Sequence, residues 1–178
     1  MKHSNSRQRG FLALETAIVL LLFSVMMVLV NNGIVNVIRQ EWYNAANAAA
    51  MAGVAKLLEE EGNPDAIQLA IDEATQFAGL HTWLGRAIQT GQVVVKVGDW
   101  KDCTYVADEG KNDFTTVQVE VYLPVDEEGN LTDITAFFGR LQAPLLQTLP
   151  DKIIATATIV DDDVLVLVED EGRACQNE

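Results

Sequence analysis

The feature that most limits how this chain can fold is a long apolar segment near its N-terminus. Residues 11 to 30 form a stretch of 20 residues with a single charged side chain, Glu15. As an α-helix rising about 1.5 Å per residue, the stretch covers about 30 Å, which is the thickness of the hydrocarbon core of a bilayer. We therefore predict one membrane-spanning helix, in which the carboxylate of Glu15 is costly to place in lipid.

The charges on the two sides of this segment have opposite signs. Of the 12 lysines and arginines, Lys2, Arg7 and Arg9 lie in the first ten residues, which contain no acid. The remaining 9 stand against 26 acidic residues, so the net charge changes from −14 to −17 without the first ten residues. Because basic flanks stay cytoplasmic, we expect a single pass with a cytoplasmic N-terminus. A domain this acidic repels nucleic acid, which is not expected as a partner.

The N-terminus has three interpretations. A secretory signal peptide needs a small-residue cleavage site close to the apolar segment, and the first such site, Ala46-Asn47-Ala48, lies about 15 residues beyond it. An uncleaved signal anchor is the second interpretation. The third depends on Gly10 directly before the segment and Glu15 at its fifth position. This arrangement resembles the type IV prepilin signal, in which a prepilin peptidase cuts after the glycine on the cytoplasmic side.

The resemblance to the prepilin signal gives Glu15 a role. It implies cleavage between Gly10 and Phe11, which leaves a free amine on Phe11. It also implies that Glu15 pairs with the N-terminal amine of a neighbouring subunit, which would offset the cost of a lone charge in an apolar bundle. The alternative is that Glu15, about 7 Å along the helix from the cytoplasmic edge, extends its carboxylate to water.

Helix-forming composition continues beyond the apolar segment to Glu61, with Asn31-Asn32-Gly33 as a candidate kink. In this second part, small residues recur at i, i+4 spacing, which lets helices approach closely. They are Ala46, Ala49, Ala50 and Gly53. These residues pack either against another helix or against the chain's own domain, and both alternatives stay open.

Beyond this helix the pattern changes to a shorter helix and then to strands. With Asn63 as N-cap and Pro64 at the first helical position, a stripe of 3.6-residue spacing predicts a helix over residues 64–79. The stripe consists of Ile67, Ala70, Ile71, Ala74, Phe77 and Ala78. Alternating β-branched and polar residues predict four strands, at residues 92–97, 115–123, 152–160 and 164–168. Residues 132–150 form an apolar helical or loop segment between the second and third strands.

These patterns predict an α+β fold. We expect a long N-terminal transmembrane helix followed by a small, mostly antiparallel sheet with one or two short helices, as in a pilin-like protein. The predicted divisions are a leader at residues 1–10, the transmembrane and extended helix at 11–61, and an extracytoplasmic α+β domain at 62–178.

Two stretches together resemble the N-terminal region of the tight-adherence (Tad, Flp-type) minor pilins, the TadE/TadG-like group. They are "RGFLALETAIVLLLF" and, one long helix later, "EWYNAANAAAMAGVAKLL". The resemblance implies a structural subunit with other pilin or minor pilin subunits, a prepilin peptidase and an inner-membrane assembly platform as partners. It also implies a bacterial inner-membrane location with the C-terminal domain periplasmic, or incorporation in an extracellular pilus.

Other functions stay open beside this one. A type II secretion pseudopilin or another type IV minor pilin shares the early glutamate, and a single-pass membrane protein with an acidic binding or sensing domain would never be cleaved. An enzyme is not expected, because all serines lie in the leader or the apolar segment and His81 has no acid or cysteine close in sequence. The chain has no phosphate-binding or metalloprotease motif, so no cofactor is expected. The acidic clusters at residues 126–130 and 161–163 offer oxygen ligands for calcium but lack calcium-loop spacing, so solvated turns are favoured over a metal site, which stays open as the alternative.

Cys103 and Cys175 are either two free thiols or one disulfide. An extracytoplasmic compartment is oxidising and favours the bridge. We therefore predict a disulfide that ties the C-terminal tail to the domain and, by closing a loop of about 72 residues, stabilises it by roughly 4 kcal/mol.

Overall fold

Over the residues that it describes, the computed structural model has one long helix, one shorter helix and two antiparallel sheets. The described residues are 4–83, 86–101, 104–107, 114–122, 150–160 and 164–168. The helices are α1 (Ser4–Glu59) and α2 (Ala66–Leu80), and a 3₁₀ turn spans Thr90–Gln92. The strands are β1 (Thr82–Trp83), β2 (Arg86–Ala87), β3 (Val93–Lys101), β4 (Thr104–Val106), β5 (Thr116–Tyr122), β6 (Lys152–Val160) and β7 (Val164–Val168).

Helix α1 is continuous over 56 residues, or about 84 Å at 1.5 Å per residue. The candidate kink at Asn31-Asn32-Gly33 is not formed, since the helix passes through these positions without interruption. The helix ends two residues before the predicted Glu61, where the ammonium of Lys56 lies 2.9 Å from a carboxylate oxygen of Glu59. Gly62 follows with a φ of +80°, a left-handed conformation that favours glycine and turns the chain towards α2.

Helix α2 begins later than predicted, and its N-cap is Asp65, which makes no side-chain capping bond, rather than the predicted Asn63. The side-chain oxygen of Asn63 instead accepts a hydrogen bond of 3.0 Å from the backbone N–H of Asp65, which forms an Asx turn before the helix. The α-helix itself starts at Ala66, two residues after Pro64. The turn between Asn63 and Ala66 is tighter, because the N–H of Ala66 bonds to the carbonyl of Asn63.

The buried line of α2 coincides in part with the predicted stripe. Four alanines at i, i+4 spacing are buried: Ala66, Ala70, Ala74 and Ala78. Ile67 and Ile71 flank this line and are half-buried, while Phe77 is 37% exposed. The predicted stripe thus contains three of the four buried alanines, and the small side chains rather than the isoleucines or Phe77 make the closest contact with α1.

The body of the domain is a sheet with the strand order β4-β3-β5-β6-β7, in which each neighbouring pair is antiparallel. The four predicted strands are confirmed as β3, β5, β6 and β7. Strand β3 continues past the predicted end to Lys101, and β4 pairs with this extension. The short hairpin of β1 and β2 forms a separate sheet. These extra strands are two or three residues long, which is too short for alternation to predict them.

The core lies between one face of the large sheet and the second half of α1. Val117, Val119 and Val121 of β5 alternate onto this face and are fully buried. Their partners on β6 are Ala157, Ala155 and Ile153, all buried as well. The α+β arrangement of a long N-terminal helix, a further helix and a small antiparallel sheet is thus confirmed. The apolar segment at residues 132–149 lies outside the described residues.

Candidate membrane anchor and assembly surface

The first half of α1 has no protein cover. Every side chain from Ala13 to Val30 is exposed, including Met26 at 65% and Leu29 at 66%. In the part of the chain that the structure describes, α1 is the one helix long and apolar enough to cross a membrane. An apolar surface of this length needs lipid or other apolar helices around it.

The residues of the predicted processing and assembly site lie in the N-terminal half of α1. The backbone positions of Gly10 and Phe11 belong to the helix, and Glu15 follows about 6 Å further along its axis. The side chain of Glu15 is exposed. Within the same segment, the hydroxyl of Ser24 donates a hydrogen bond of 2.8 Å to the carbonyl of Leu20. The hydroxyl of Ser24 is thus satisfied within the helix, whereas an ionised carboxylate such as Glu15 is costly in an apolar segment without a partner.

The second half of α1 changes from bare to buried within a few residues. Burial begins at Val35, which is 8% exposed, and Ile38 and Trp42 are fully buried. This half of the helix packs against α2 and against β5, β6 and β7. The same continuous helix therefore carries both the exposed apolar segment and a principal part of the domain's core.

The small residues predicted to mediate helix packing face the chain's own domain. Ala46, Ala49 and Ala50 have no exposed surface, and Gly53 is buried. A Cβ atom on Gly53 would lie 3.0 Å from Cγ1 of Val117 and 3.1 Å from Cβ of Ala74. Of the two alternatives left by the sequence, the structure places these four residues in contact with the domain to which they are joined.

The opposite side of this half of α1 is open. Val37 is 53% exposed and Tyr43 is 46% exposed, and the neighbouring polar side chains Asn36, Gln40 and Asn44 are exposed too. The exposed surface of the helix thus continues from the apolar segment towards its C-terminal end, along one side of the domain.

A charged cluster on the other face of the sheet was not predicted from the sequence. The carboxylate of Glu120 on β5 is 4% exposed and accepts hydrogen bonds of 2.6 Å from Lys96 and 2.9 Å from Lys152. The hydroxyl of Tyr122 donates a third hydrogen bond, of 2.6 Å, to the same carboxylate. Burial alone would raise the pKa of Glu120, but the bonds from Lys96, Tyr122 and Lys152 outweigh it and lower the pKa to about 2.

The domain should become less stable in acid, because Glu120 stabilises it only while its carboxylate is ionised. Its folded-state pKa lies below that of an unfolded glutamate, about 4.3, so the unfolded chain binds the proton first. The stabilisation is therefore complete above about pH 5 and is lost as the pH falls towards about 2, a change on the order of 3 kcal/mol. We expect denaturant unfolding at a series of pH values to show this loss in the wild type and to lack it in Glu120→Gln. Tyr122→Phe should keep part of this acid-dependent loss of stability, because the two lysine bonds to Glu120 remain. Equal pH profiles for wild type and Glu120→Gln would contradict the expectation.

The remaining candidate residues for chemistry contribute no site within the described ranges. His81 follows α2, and its backbone N–H bonds to the carbonyl of Ala78. The described residues hold no group of three His, Cys, Asp or Glu side chains placed to bind a metal ion. Cys103 and Cys175 lie outside the described residues, so the disulfide stays a prediction.

Comparisons with protein-family models, with curated proteins and with solved structures find no match for this chain. The site is described by its own geometry: a bare apolar half-helix that carries Glu15, joined without a break to a half-helix buried in an antiparallel α+β domain. By this geometry the chain belongs to the class of proteins in which a small domain is joined directly to a long N-terminal helix that is long and apolar enough to span a membrane.

Proposed function

We propose that this protein is a minor pilin or pseudopilin-like structural subunit of a Tad (Flp-type) pilus or a related filament system. The observation that carries the proposal is the division of α1, whose first half is bare and apolar and whose second half lies in the core of the domain. A subunit of this shape can sit in the membrane before assembly and pack its bare half among other apolar helices afterwards. In both settings the sheet stays outside the apolar bundle.

The position of the domain along α1 supports this function. The apolar segment ends at Val30 and burial starts at Val35, a rise of about 8 Å along the helix. The domain therefore begins directly above the anchor, with no flexible linker between them. A subunit that is placed in an ordered assembly by its helix gains from such a fixed connection, since less freedom has to be lost on assembly.

The position of Glu15 supports an assembly role over simple anchoring. An anchor alone gains nothing from a carboxylate near the start of its apolar segment, and charged groups there are expensive. An amine on Phe11 of a neighbouring subunit, created by cleavage after Gly10, would compensate the charge within the bundle. On this proposal the protein acts through assembly contacts, with other subunits, an inner-membrane platform and a prepilin peptidase as partners.

The proposal predicts that mature protein lacks Met1 to Gly10. Intact-mass measurement on protein purified from native membranes should give a chain that begins at Phe11. In a strain without prepilin peptidase, and in a Gly10→Lys variant of the cleavage position, the chain should keep its first residue. Wild-type protein that begins at Met1 in the presence of the peptidase would contradict the proposal. It would favour a membrane-anchored acidic binding or sensing module instead.

A further inference from the structure

The open side of the second half of α1 is a line of exposed residues without charge. The line follows steps of four and three residues, through Gly33, Val37, Gln40 and Asn44. Charged residues make up 21% of the chain, yet none of the exposed residues from Asn32 to Asn44 is charged. Since the outer face of a helix on a globular domain normally carries charged side chains, this line has the composition of a contact surface.

The same steps of four and three residues continue the line into the apolar segment. There it passes through Val30, Met26, Phe23 and Val19, which are between 47% and 65% exposed. We call the whole line, from Val19 to Asn44, the α1 seam. Its spacing is that of the inward-facing positions of a two-stranded coiled coil, in which two helices wind around each other to keep such a line in contact.

The order of side chains along the α1 seam indicates its partner. Its first part is apolar, whereas Gln40 and Asn44 near its other end carry amides. Antiparallel pairing of two copies over the whole seam would place these amides against apolar residues, at a cost. Parallel pairing places each amide opposite its own counterpart. An amide both donates and accepts hydrogen bonds, so two identical amides satisfy each other.

The charge of the chain does not prevent this pairing. Each copy has a net charge of −14, but Arg39 and Glu41, the charged residues nearest to Gln40, are half-buried and lie off the α1 seam. Two copies therefore meet there without like charges in direct contact. The domain does not obstruct the approach either, because it packs on the opposite side of the helix, where Ile38 and Trp42 have no exposed surface.

We propose that α1 pairs with α1 of a second copy of this chain, parallel and in register, along the α1 seam. The apolar residues of the seam supply the contact. Gln40 and Asn44 set the register and limit the assembly to two helices, as single polar residues do at inward-facing positions of coiled coils. The inference goes beyond the proposed function, because a membrane-anchored binding module with the same helix would pair in the same way.

The first test is disulfide crosslinking of the full chain in vesicles of zwitterionic lipid. Single cysteines are placed in a background in which Cys103 and Cys175 are replaced by serine. Val30→Cys lies on the α1 seam, and Val28→Cys lies on the opposite side of the helix with similar exposure, 53% against 47%. Under mild oxidation we expect Val30→Cys and Val37→Cys to form crosslinked dimers at least about 10-fold faster than Val28→Cys. Equal rates at the three positions would overturn the proposal.

The second test measures dimerisation by sedimentation equilibrium in detergent, with a matched pair of variants. Gln40→Glu and Gln76→Glu both replace an exposed amide by a carboxylate of the same shape, so both should keep the fold and gain the same charge. Gln40→Glu brings two carboxylates together in the paired helices, whereas Gln76→Glu lies on α2. We expect the first to raise the dissociation constant of the dimer at least about 10-fold and the second to leave it unchanged. Equal dissociation constants for wild type and Gln40→Glu would overturn the proposal.

Native membranes distinguish a second copy from another partner. Crosslinks from Val37→Cys to a different protein, with none between two copies, would overturn the proposal. The outcome is separate from that of the proposed function. A chain that is cleaved after Gly10 but stays monomeric would contradict only the pairing, and a dimer that begins at Met1 would contradict only the function.

Discussion

Replacing Gly53 by leucine should lower the free energy of unfolding of the domain by about 3 kcal/mol. The first added atom would already lie 3.0 Å from Cγ1 of Val117, 3.1 Å from Cβ of Ala74 and 3.3 Å from the carbonyl oxygen of Ala70. The remaining atoms of leucine would have to separate α1, α2 and β5. Leucine gains about 1 kcal/mol over glycine in helix propensity, but this gain is smaller than the cost of opening three packed elements.

The same helix offers a matched control for this substitution. A Cβ atom on Gly33 would have no neighbour within 4 Å. Gly33→Leu should therefore leave the stability of the domain unchanged or raise it slightly, because only the propensity gain applies. The measurement is denaturant unfolding of the full chain in detergent, followed through the far-ultraviolet and tryptophan signals. If Gly53→Leu were as stable as Gly33→Leu, the close contact of α1 with α2 and β5 would be wrong.

On the proposed function, replacing Glu15 by alanine should leave the domain folded and the chain in the membrane but strongly reduce its assembly. Residue 15 lies on the bare half of α1, well before burial begins at Val35. Insertion should be as good or better, since a charged residue costs up to about 3 kcal/mol in a membrane helix, and less near the interface. Loss of one partner of a buried ion pair costs about 3 kcal/mol or more, so co-purification with assembly partners should fall about 100-fold.

Two further variants separate charge from other effects of this substitution. Glu15→Gln keeps the shape of the side chain and removes its charge, and it should behave like Glu15→Ala. Thr16→Ala changes the adjacent polar residue and should assemble normally. Membrane level and the melting temperature of the domain are measured for all variants. Normal assembly of Glu15→Ala would mean that Glu15 reaches water and has no role in assembly, while poor insertion would contradict the cost assigned to its charge.

The sequence predicted those parts of the fold in which apolar side chains are buried and polar side chains are exposed. Val117, Val119 and Val121 alternate with polar neighbours, and the structure buries all three on one face. The predicted stripe of α2 contained Ala70, which the structure buries, but it did not distinguish this residue from the half-buried Ile67, because periodicity does not show which residue makes the closest contact. The contact itself depends on Gly53, which is distant in sequence and whose position opposite Ala74 no periodicity reveals.

The candidate site was predictable in part for a similar reason. Glu15 is identifiable because it is alone in an apolar segment, and the structure places it on the bare half of α1. Glu120 is one polar residue among several in an alternating strand, and alternation predicts that such a residue is solvated. It is buried because the register brings β3 and β6 to either side of β5, and from these strands Lys96 and Lys152 reach its carboxylate. Register between distant strands is not encoded in local pattern.

The continuity of α1 has a mechanical consequence. Because the exposed apolar half of α1 and the buried half are one helix, a pulling force on its N-terminal end acts along the helix axis on the contacts around Ile38, Trp42 and Val54. These contacts are loaded in shear and share the force, and no linker can stretch first to absorb it. The first half of α1 cannot be drawn away from the domain without pulling its second half out of the core. Tension along α1 is therefore carried directly into the sheet, and a tilt of the first half of α1 turns the domain with it.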